Sequence, residues 1–266
     1  MLRTRIVTAL LLGSAITAVI LWLPTWAVAA IVGVFWLGGA WEWAGLARWH
    51  GALRLAYLVG VLSLMLLLMW PGFGDGAAAW VIAVAALWWA LALIWIQTYP
   101  RSIPSVLVAA AGPLSLVPAW FVLVWLHGTY ALGPALALSV LVIIWAADVG
   151  AYLVGRSIGR VKLAPSVSPG KTWEGVIGGM LLATLASAAA ALLLGFPLGT
   201  FVAIGLAAAM VSVVGDLTVS MFKRNAGFKD SGRLLPGHGG ILDRIDSLAA
   251  AIPIFALGLT VAGIRS

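Results

Sequence analysis

Residues 220–246 read SMFKRNAGFKDSGRLLPGHGGILDRID, a charged stretch in a chain of which only 9% of the residues are charged. Together with Asp216, four residues upstream, it contains half of the eight acidic residues and a third of the fifteen basic residues. Several glycines, among them those at positions 237, 239 and 240, lie among these charges. Carboxylates close to cations and to glycine turns are typical of a site for a metal ion and a phosphorylated ligand.

The composition on either side of this stretch is that of a membrane protein. Hydrophobic residues make up 64% of the chain and the mean hydropathy is +1.14, whereas roughly 45–50% apolar residues is usual for soluble domains. The net charge of +7 comes from cations between apolar segments, so membrane topology and anionic headgroups explain it better than nucleic acid does. The chain has no Cys, which excludes disulfides, thiolate metal sites and a Cys nucleophile.

Apolar runs long enough to cross about 30 Å of hydrocarbon recur along the chain. They predict an all-α polytopic membrane protein with nine transmembrane helices and no soluble domain. The first run is interpreted as a retained helix, because no clear cleavage site for a signal peptidase follows it. The predicted spans are 6–23, 26–41, 55–71, 79–98, 104–126, 133–153, 175–194, 199–220 and 248–264.

The positions of Lys and Arg test this count independently of hydropathy. With the N-terminus in the cytoplasm, nine alternating spans place all fifteen cations except Arg265 on the inside, as the positive-inside rule expects. The C-terminus is then outside, and the long polar loops 154–174 and 221–247 share the cytoplasmic face. The sequence thus divides into a scaffold, residues 1–130, which is also the candidate region for dimer contacts, and a catalytic region, residues 131–266.

Glu42 and Asp148 are acidic residues that lie close to or within the apolar spans of the chain before loop 154–174. Glu42, between Trp41 and Trp43, is interpreted as a residue of the aromatic belt or of a helix end at the membrane interface. Asp148 lies inside the sixth span, where a charge is costly and normally faces a polar cavity or a partner. The alternative for Asp148 is a helix-end residue that reaches the lipid headgroups. Tyr152, four residues later, shares its helix face.

The loop 154–174 contains the tripeptide Gly170-Lys171-Thr172. It is not a Walker A motif, because Pro165 occupies the position of the required first glycine and no buried strand precedes it. The loop is instead predicted to be a basic, hydroxyl-bearing turn that leads into a helix at about Trp173. Lys171 and backbone N–H groups of such a turn can hold phosphate.

Polar residues follow helical spacing at the ends of the last two spans. Asp216, Ser220 and Lys223 are spaced i, i+4, i+7 and form one polar stripe. After the loop, Asp243 and Asp246 lie on one face of helix nine. The two helix ends could therefore bring Asp216 and Asp243 to one cation, and oxygen ligands without Cys favour Mg²⁺.

Three segments resemble a known family. The run S-x-x-K-R-x4-K-D-x-G-x2-L-P-x-H-G-G-x2-D-R-x-D from Ser220 to Asp246 is similar to the signature of the bacterial phosphatidate cytidylyltransferases, also called CDP-diacylglycerol synthases. The segments D-x-G-A-Y-x-x-G, residues 148–155, and SPGKTWEG, residues 168–175, resemble the same family. The resemblance with specific motifs covers residues 145–255, and some members carry a second Lys at the position of Gly170.

The resemblance implies transfer of CMP from CTP to phosphatidic acid, giving CDP-diacylglycerol and pyrophosphate, by a Mg²⁺-dependent and often dimeric enzyme of the bacterial cytoplasmic (inner) membrane with its site facing the cytoplasm. It implies metal binding by Asp216 and Asp243, and a catalytic set that also includes Lys223 and Asp246. For His238 a structural role is as well supported as a catalytic one. The implied substrate-binding residues are Asp148, Ser168, Lys171, Ser220, Lys223, Arg224, Lys229, His238 and Arg244.

Two alternatives explain part of the pattern. Another lipid-phosphate transferase, such as one that moves a phospho-sugar from a nucleotide-sugar onto a polyprenyl phosphate, also uses cytoplasmic Asp clusters and Mg²⁺. A cation transporter or channel would use Asp148, Asp216 and Asp243 to line a permeation path. A transporter predicts acids near the bilayer midplane and at both faces, whereas these acids cluster at one predicted face.

Overall fold

The computed structural model describes residues 2–70, 76–232 and 239–264. These parts of the chain fold into nine α-helices and one short β-hairpin. The helices are α1 Leu2–Trp22, α2 Thr25–Leu46, α3 Gly51–Leu68, α4 Gly76–Gln97, α5 Ser105–Thr129, α6 Gly133–Ile158, α7 Trp173–Leu194, α8 Leu198–Ala226 and α9 Leu242–Val261.

The helical architecture confirms the predicted polytopic membrane fold. Eight helices, α2 to α9, are long and apolar enough to cross a membrane, and α1 contributes an apolar stretch over Leu11–Trp22. The predicted spans end too early in α6 and α8 and begin too late in α9. Charged residues at these ends continue the helices, because a charge facing water lowers the hydropathy without breaking the backbone hydrogen-bond ladder.

The two strands, β1 Lys162–Ala164 and β2 Ser168–Thr172, form an antiparallel hairpin between α6 and α7. This hairpin is an addition to the predicted all-α fold. Thr172 ends it and caps α7 by accepting a hydrogen bond from the Gly175 N–H at 3.2 Å. Helix α7 therefore begins at Trp173, as predicted, and Glu174 in its first turn accepts from the Val161 N–H.

Helices α6 and α7 lie against each other almost without side chains between them. A Cβ atom at Gly150 would collide with the carbonyl oxygen of Gly178, and one at Gly175 would come within 2.9 Å of the Ala151 carbonyl oxygen. Small residues allow membrane helices to approach this closely. The close contact fixes the position of Asp148, on α6, relative to the hairpin that begins α7.

Long-range hydrogen bonds define the two ends of the helix bundle. At one end, the Asn225 side chain at the end of α8 accepts from the Ile103 N–H and donates to the Ile103 carbonyl, just before α5 begins. At the other end, His127 of α5 contacts Thr25 and the Ile20 carbonyl. Successive helices alternate in direction, so the hairpin and the described parts of loop 221–247 lie at the Asn225 end.

Candidate active site

A cavity of about 510 Å³ opens at this end, between α6, α7, α8, α9 and strand β2. Its volume is within the usual range for small-molecule sites. Four of the chain's eight acidic residues line it, together with three cations of the described chain. The charged lining residues are Asp148, Asp216, Asp243, Asp246, Arg156, Lys171 and Arg244. The structure therefore brings the carboxylates of α6, α8 and α9 to one cavity, as the sequence predicted for Asp216 and Asp243.

Asp216 connects α8 with the hairpin. Its Oδ2 atom lies 2.5 Å from the Nζ atom of Lys171, on β2, and both side chains are about one-quarter exposed. Its Oδ1 atom accepts a hydrogen bond of 3.2 Å from the Ser220 hydroxyl, one helical turn later. The predicted polar stripe is thus present, and Asp216 has an ammonium group as its counter-ion.

Asp243 connects α9 with α8. Its Oδ1 atom accepts from Lys223 Nζ at 2.6 Å, while Oδ2 accepts from the backbone N–H groups of Ser231, at 3.0 Å, and Gly240, at 3.2 Å. The Lys223 and Asp243 side chains are only 11% and 14% exposed. Charge-assisted hydrogen bonds in such a shielded place are strong. Asp243 therefore fixes the segment before α9 as well as the Lys223 side chain.

Asp148 of α6 and Asp246 of α9 also line the cavity. The Asp148 side chain is open to the cavity, whereas Asp246 is 6% exposed and accepts a hydrogen bond from the Ser247 N–H. Both carboxylates are repelled by the charge of Asp216, and both are attracted by Lys171. Asp148 lines the cavity, in agreement with the first interpretation of the sequence. The alternative interpretation, a helix-end residue that reaches only the lipid headgroups, does not fit this position.

Tyr152 and Arg156 line the cavity but were missing from the predicted site. Tyr152 and Arg156 lie one and two turns after Asp148 on α6, and the Arg156 guanidinium contacts the Tyr152 hydroxyl. The spacing i, i+4, i+8 from Asp148 is the sequence signal that could have identified both residues. Arg156 adds a third cation to the cavity, beside Lys171 and Arg244.

Other predicted substrate-binding residues lie outside the cavity lining. Among them are Ser220 and Lys223, which bond to Asp216 and Asp243. Ser168 begins β2, and Lys229 is exposed in the turn after α8. Arg224 donates to the carbonyl oxygens of Val167 and Phe228, where it connects α8 with the hairpin. Their roles in substrate binding stay predictions. His238 lies outside the described residues.

The chemistry of these carboxylates fits a divalent cation. No three acidic or His side chains in the described chain form a ready-made metal cage. However, Mg²⁺ usually takes only one or two protein carboxylates and completes its shell with water and phosphate oxygens. Asp216 and Asp243 offer this donor set. Each already binds a positive charge, the Lys171 ammonium group at Asp216 and the Lys223 ammonium group at Asp243.

Comparison with known proteins identifies the family. The model of the cytidylyltransferase family matches residues 3–262, almost the whole chain. The chain belongs to the cytidylyltransferase family. It is therefore a nucleotidyltransferase of the membrane, and the family predicted from the three sequence segments is confirmed.

Several curated relatives are similar over nearly their full length. The phosphatidate cytidylyltransferase of Pseudomonas aeruginosa is 45% identical to this cytidylyltransferase, with 99% of the chain and 98% of the relative covered. The proteins of the same name from Haemophilus influenzae and Brucella suis are 35% and 36% identical, each over 96% of the chain, and 98% and 92% of those relatives are covered.

Proposed function

We propose that this cytidylyltransferase transfers CMP from CTP to phosphatidic acid, with formation of CDP-diacylglycerol and pyrophosphate. The observation that carries the proposal is the cavity in which four carboxylates meet Arg156, Lys171 and Arg244 at one end of a membrane helix bundle. A site at the end of membrane helices is accessible to a lipid reactant and to a water-soluble one. The names of the full-length relatives support phosphatidic acid as the lipid.

The proposed chemistry needs no side-chain nucleophile. A phosphate oxygen of phosphatidic acid attacks the α-phosphorus of CTP, the bond from this phosphorus to the oxygen bridging to the β-phosphate breaks, and pyrophosphate leaves. The protein aligns two anionic reactants and stabilises the charge that develops on phosphate oxygens. Lys171, Lys223 and Arg244 are the cations that we assign to these phosphates.

The two lysines have a second role in this proposal. Without substrate, Lys171 and Lys223 neutralise Asp216 and Asp243. When a triphosphate enters, each ammonium group can turn to the phosphate oxygens, and the freed carboxylates can then accept a divalent cation. We propose that Asp216 and Asp243 hold Mg²⁺, which would offset the negative charge of the phosphates. Asp246 is assigned to orienting this carboxylate pair and Asp148 to binding at the cavity wall. Ser220 is assigned to binding beside Asp216, to which its hydroxyl donates.

The cavity end of the bundle is proposed to face the cytoplasm of a bacterial inner membrane. The described cations of the α2–α3, α4–α5 and α6–α7 connections lie at this end of the bundle, and cations are enriched on the cytoplasmic side of membrane proteins. CTP could then reach the site from the cytosol. The predicted homodimer stays a prediction.

The orientation can be tested with topology reporters. We expect a reporter fused after Arg265 to be active only outside the cytoplasm, and one inserted into the β-hairpin at Pro165 to be active only inside. The reason is that nine spans separate the two termini of the chain. A cytoplasmic signal from the C-terminal fusion would contradict the orientation.

Lys171→Ala should lower kcat/KM for CTP by roughly 100-fold, because it removes a preorganised cation from the phosphates and leaves Asp216 without its counter-ion. Steady-state kinetics at saturating phosphatidic acid would measure this. Lys171→Arg should retain part of the activity. Lys162→Ala is the matched control, since this exposed lysine belongs to the same hairpin but does not line the cavity. Equal kinetics for Lys171→Ala and the control would contradict the assignment.

The reaction itself is tested with purified protein in detergent, labelled CTP, phosphatidic acid and Mg²⁺. We expect a labelled CDP-lipid and one pyrophosphate per turnover, and no product when phosphatidic acid is omitted. A parallel reaction with a nucleotide-sugar and a polyprenyl phosphate tests the alternative transferase. Absence of CDP-lipid from protein that is folded and monodisperse would contradict the proposed function.

A further inference from the structure

Glu42 is a buried carboxylate that the proposed chemistry does not use. It lies in α2, in the N-terminal scaffold, and is only 2% exposed. A buried carboxylate is costly unless hydrogen bonds or an opposite charge compensate it. The contacts of Glu42 therefore indicate the role of its charge. Its burial contradicts the interpretation of Glu42 as a residue that faces the membrane interface.

Three hydrogen bonds from described residues reach Glu42, and they come from the polar stretch nearly 200 residues later. Its Oε1 atom accepts from the Ile241 N–H at 3.1 Å. Its Oε2 atom accepts from the Leu242 N–H at 2.9 Å and from the Ser231 hydroxyl at 2.8 Å. Glu42 thus caps the first turn of α9 from another helix and also holds the segment that precedes the undescribed residues 233–238.

The space around this carboxylate is closed by glycines. A Cβ atom at Gly232 or at Gly240 would collide with the Glu42 carboxylate. Arg54 of α3 donates twice to the Trp41 carbonyl and lies 4.0 Å from the centre of the Trp41 ring, so a positive charge is placed beside Glu42. The carboxylate is consequently fixed from its own side as well as from the α9 side.

The groups that Glu42 holds are next to those that hold Asp243. Ser231 donates its hydroxyl to Glu42 and its backbone N–H to Asp243. The Gly240 N–H donates to Asp243, and the next two N–H groups donate to Glu42. The two carboxylates therefore form one network around the start of α9, and Asp243 also faces the cavity.

We propose that Glu42 is a positioning residue of the active site, which fixes the start of α9 and the Ser231 segment so that Asp243 faces Lys223 and the cavity. It touches no substrate. Its contribution to catalysis rests on the proposed cytidylyl transfer, whereas its contribution to the order of this segment does not. A role for the N-terminal scaffold follows: it supplies the negative charge that anchors the catalytic helix end.

The decisive variants are Glu42→Ala and Glu42→Gln. Glu42→Ala removes both acceptor oxygens, and with them the three described hydrogen bonds. We expect kcat to fall on the order of 100-fold, because a displacement of about 1 Å at catalytic groups has an effect of this size. KM for CTP should change much less than kcat. Glu42→Gln should rescue part of the loss, since its amide oxygen can still accept from Leu242 and Ser231. Ser115→Ala, a buried hydroxyl elsewhere in the scaffold, is the matched control.

Amide hydrogen exchange measured by mass spectrometry gives a readout without substrate. In Glu42→Ala we expect faster exchange in peptides covering 239–246 and 229–232, while α5 and α6 stay protected and the melting temperature in detergent stays near that of the parent protein. Unchanged exchange in these peptides would overturn the proposal, even if the protein proved inactive on CTP and phosphatidic acid. Faster exchange throughout the molecule would also overturn the proposal. So would faster exchange in these two peptides alone if kcat of Glu42→Ala equalled that of the parent protein.

Discussion

Asp216→Asn is expected to lower the rate of CDP-lipid formation on the order of 1,000-fold or more at saturating CTP. The substitution removes the negative charge at the position where α8 meets the hairpin, and the proposed metal loses one of its two carboxylates. Stabilisation by a metal ion is worth several kcal/mol in the transition state, and each 1.36 kcal/mol corresponds to a factor of ten in rate. Initial rates with labelled CTP would measure the loss.

The folded structure should tolerate this substitution. The amide oxygen can still accept from Ser220, and the side chain is about one-quarter exposed at the cavity wall. Thr218→Val is the matched control on the same helix. In the described contacts the Thr218 hydroxyl donates to the Val214 carbonyl oxygen, one turn earlier in α8. We expect both variants to melt close to the parent protein. Parent-like turnover by Asp216→Asn at physiological Mg²⁺ would refute the metal assignment.

A second readout separates metal binding from phosphate binding at Asp216. If Asp216 holds a cation, Asp216→Asn should abolish the protection that Mg²⁺ with CTP gives against proteolysis or thermal unfolding. If the role of Asp216 were only to orient Lys171, the protection should persist with a weaker dependence on CTP. The thermal shift caused by Mg²⁺ and CTP together, compared with that of CTP alone, distinguishes these two roles.

The membrane fold could be predicted from the sequence because the hydrocarbon core imposes the same structural requirement on every span. Each apolar run must satisfy its backbone groups internally, so it forms a helix. Helix ends were harder to predict. Lys223 and Arg224 lower the hydropathy after residue 220, yet α8 continues to Ala226, because their side chains find Asp243 and the Val167 carbonyl.

The cavity carboxylates could be predicted by a related argument. A charge such as Asp148 within an apolar run has few favourable surroundings other than a polar cavity, and helical spacing already placed Asp216 and Ser220 on one face. Tyr152 and Arg156 follow the same helical periodicity from Asp148 and could have been predicted by it. Local spacing is sufficient wherever the site is built along single helices.

The role of Glu42 could not be predicted from local spacing. Its partners are backbone N–H groups of Ile241 and Leu242, which carry no sequence signal, and they lie about 200 residues away. Flanking tryptophans favoured an interface residue instead. The role of such an acid, which accepts from two backbone N–H groups and one distant hydroxyl, can be recognised only when the tertiary contact between α2 and α9 is known.

Asp243→Asn is expected to abolish turnover as completely as Asp216→Asn, but with a different structural consequence. Asp243 accepts from Lys223, from the Ser231 N–H and from the Gly240 N–H, and both of its oxygens are used. An amide has one oxygen, so its NH₂ group must face either the ammonium group or the two backbone donors. A buried donor left without an acceptor costs about 1–3 kcal/mol.

Amide exchange should therefore distinguish the two variants. In Asp243→Asn we expect faster exchange at Ser231 and Gly240, as in Glu42→Ala, because the same start of α9 loses an anchor. In Asp216→Asn these amides should stay protected, since Asp216 bonds to Ser220 and Lys171 instead.

Lys223→Ala separates the effect of the positive charge from the anchoring of the segment. It leaves the two N–H contacts of Asp243 in place, so it should lower kcat/KM while amide exchange stays slow. Fast exchange in Lys223→Ala would mean that the ammonium group, rather than the carboxylate, orders this segment.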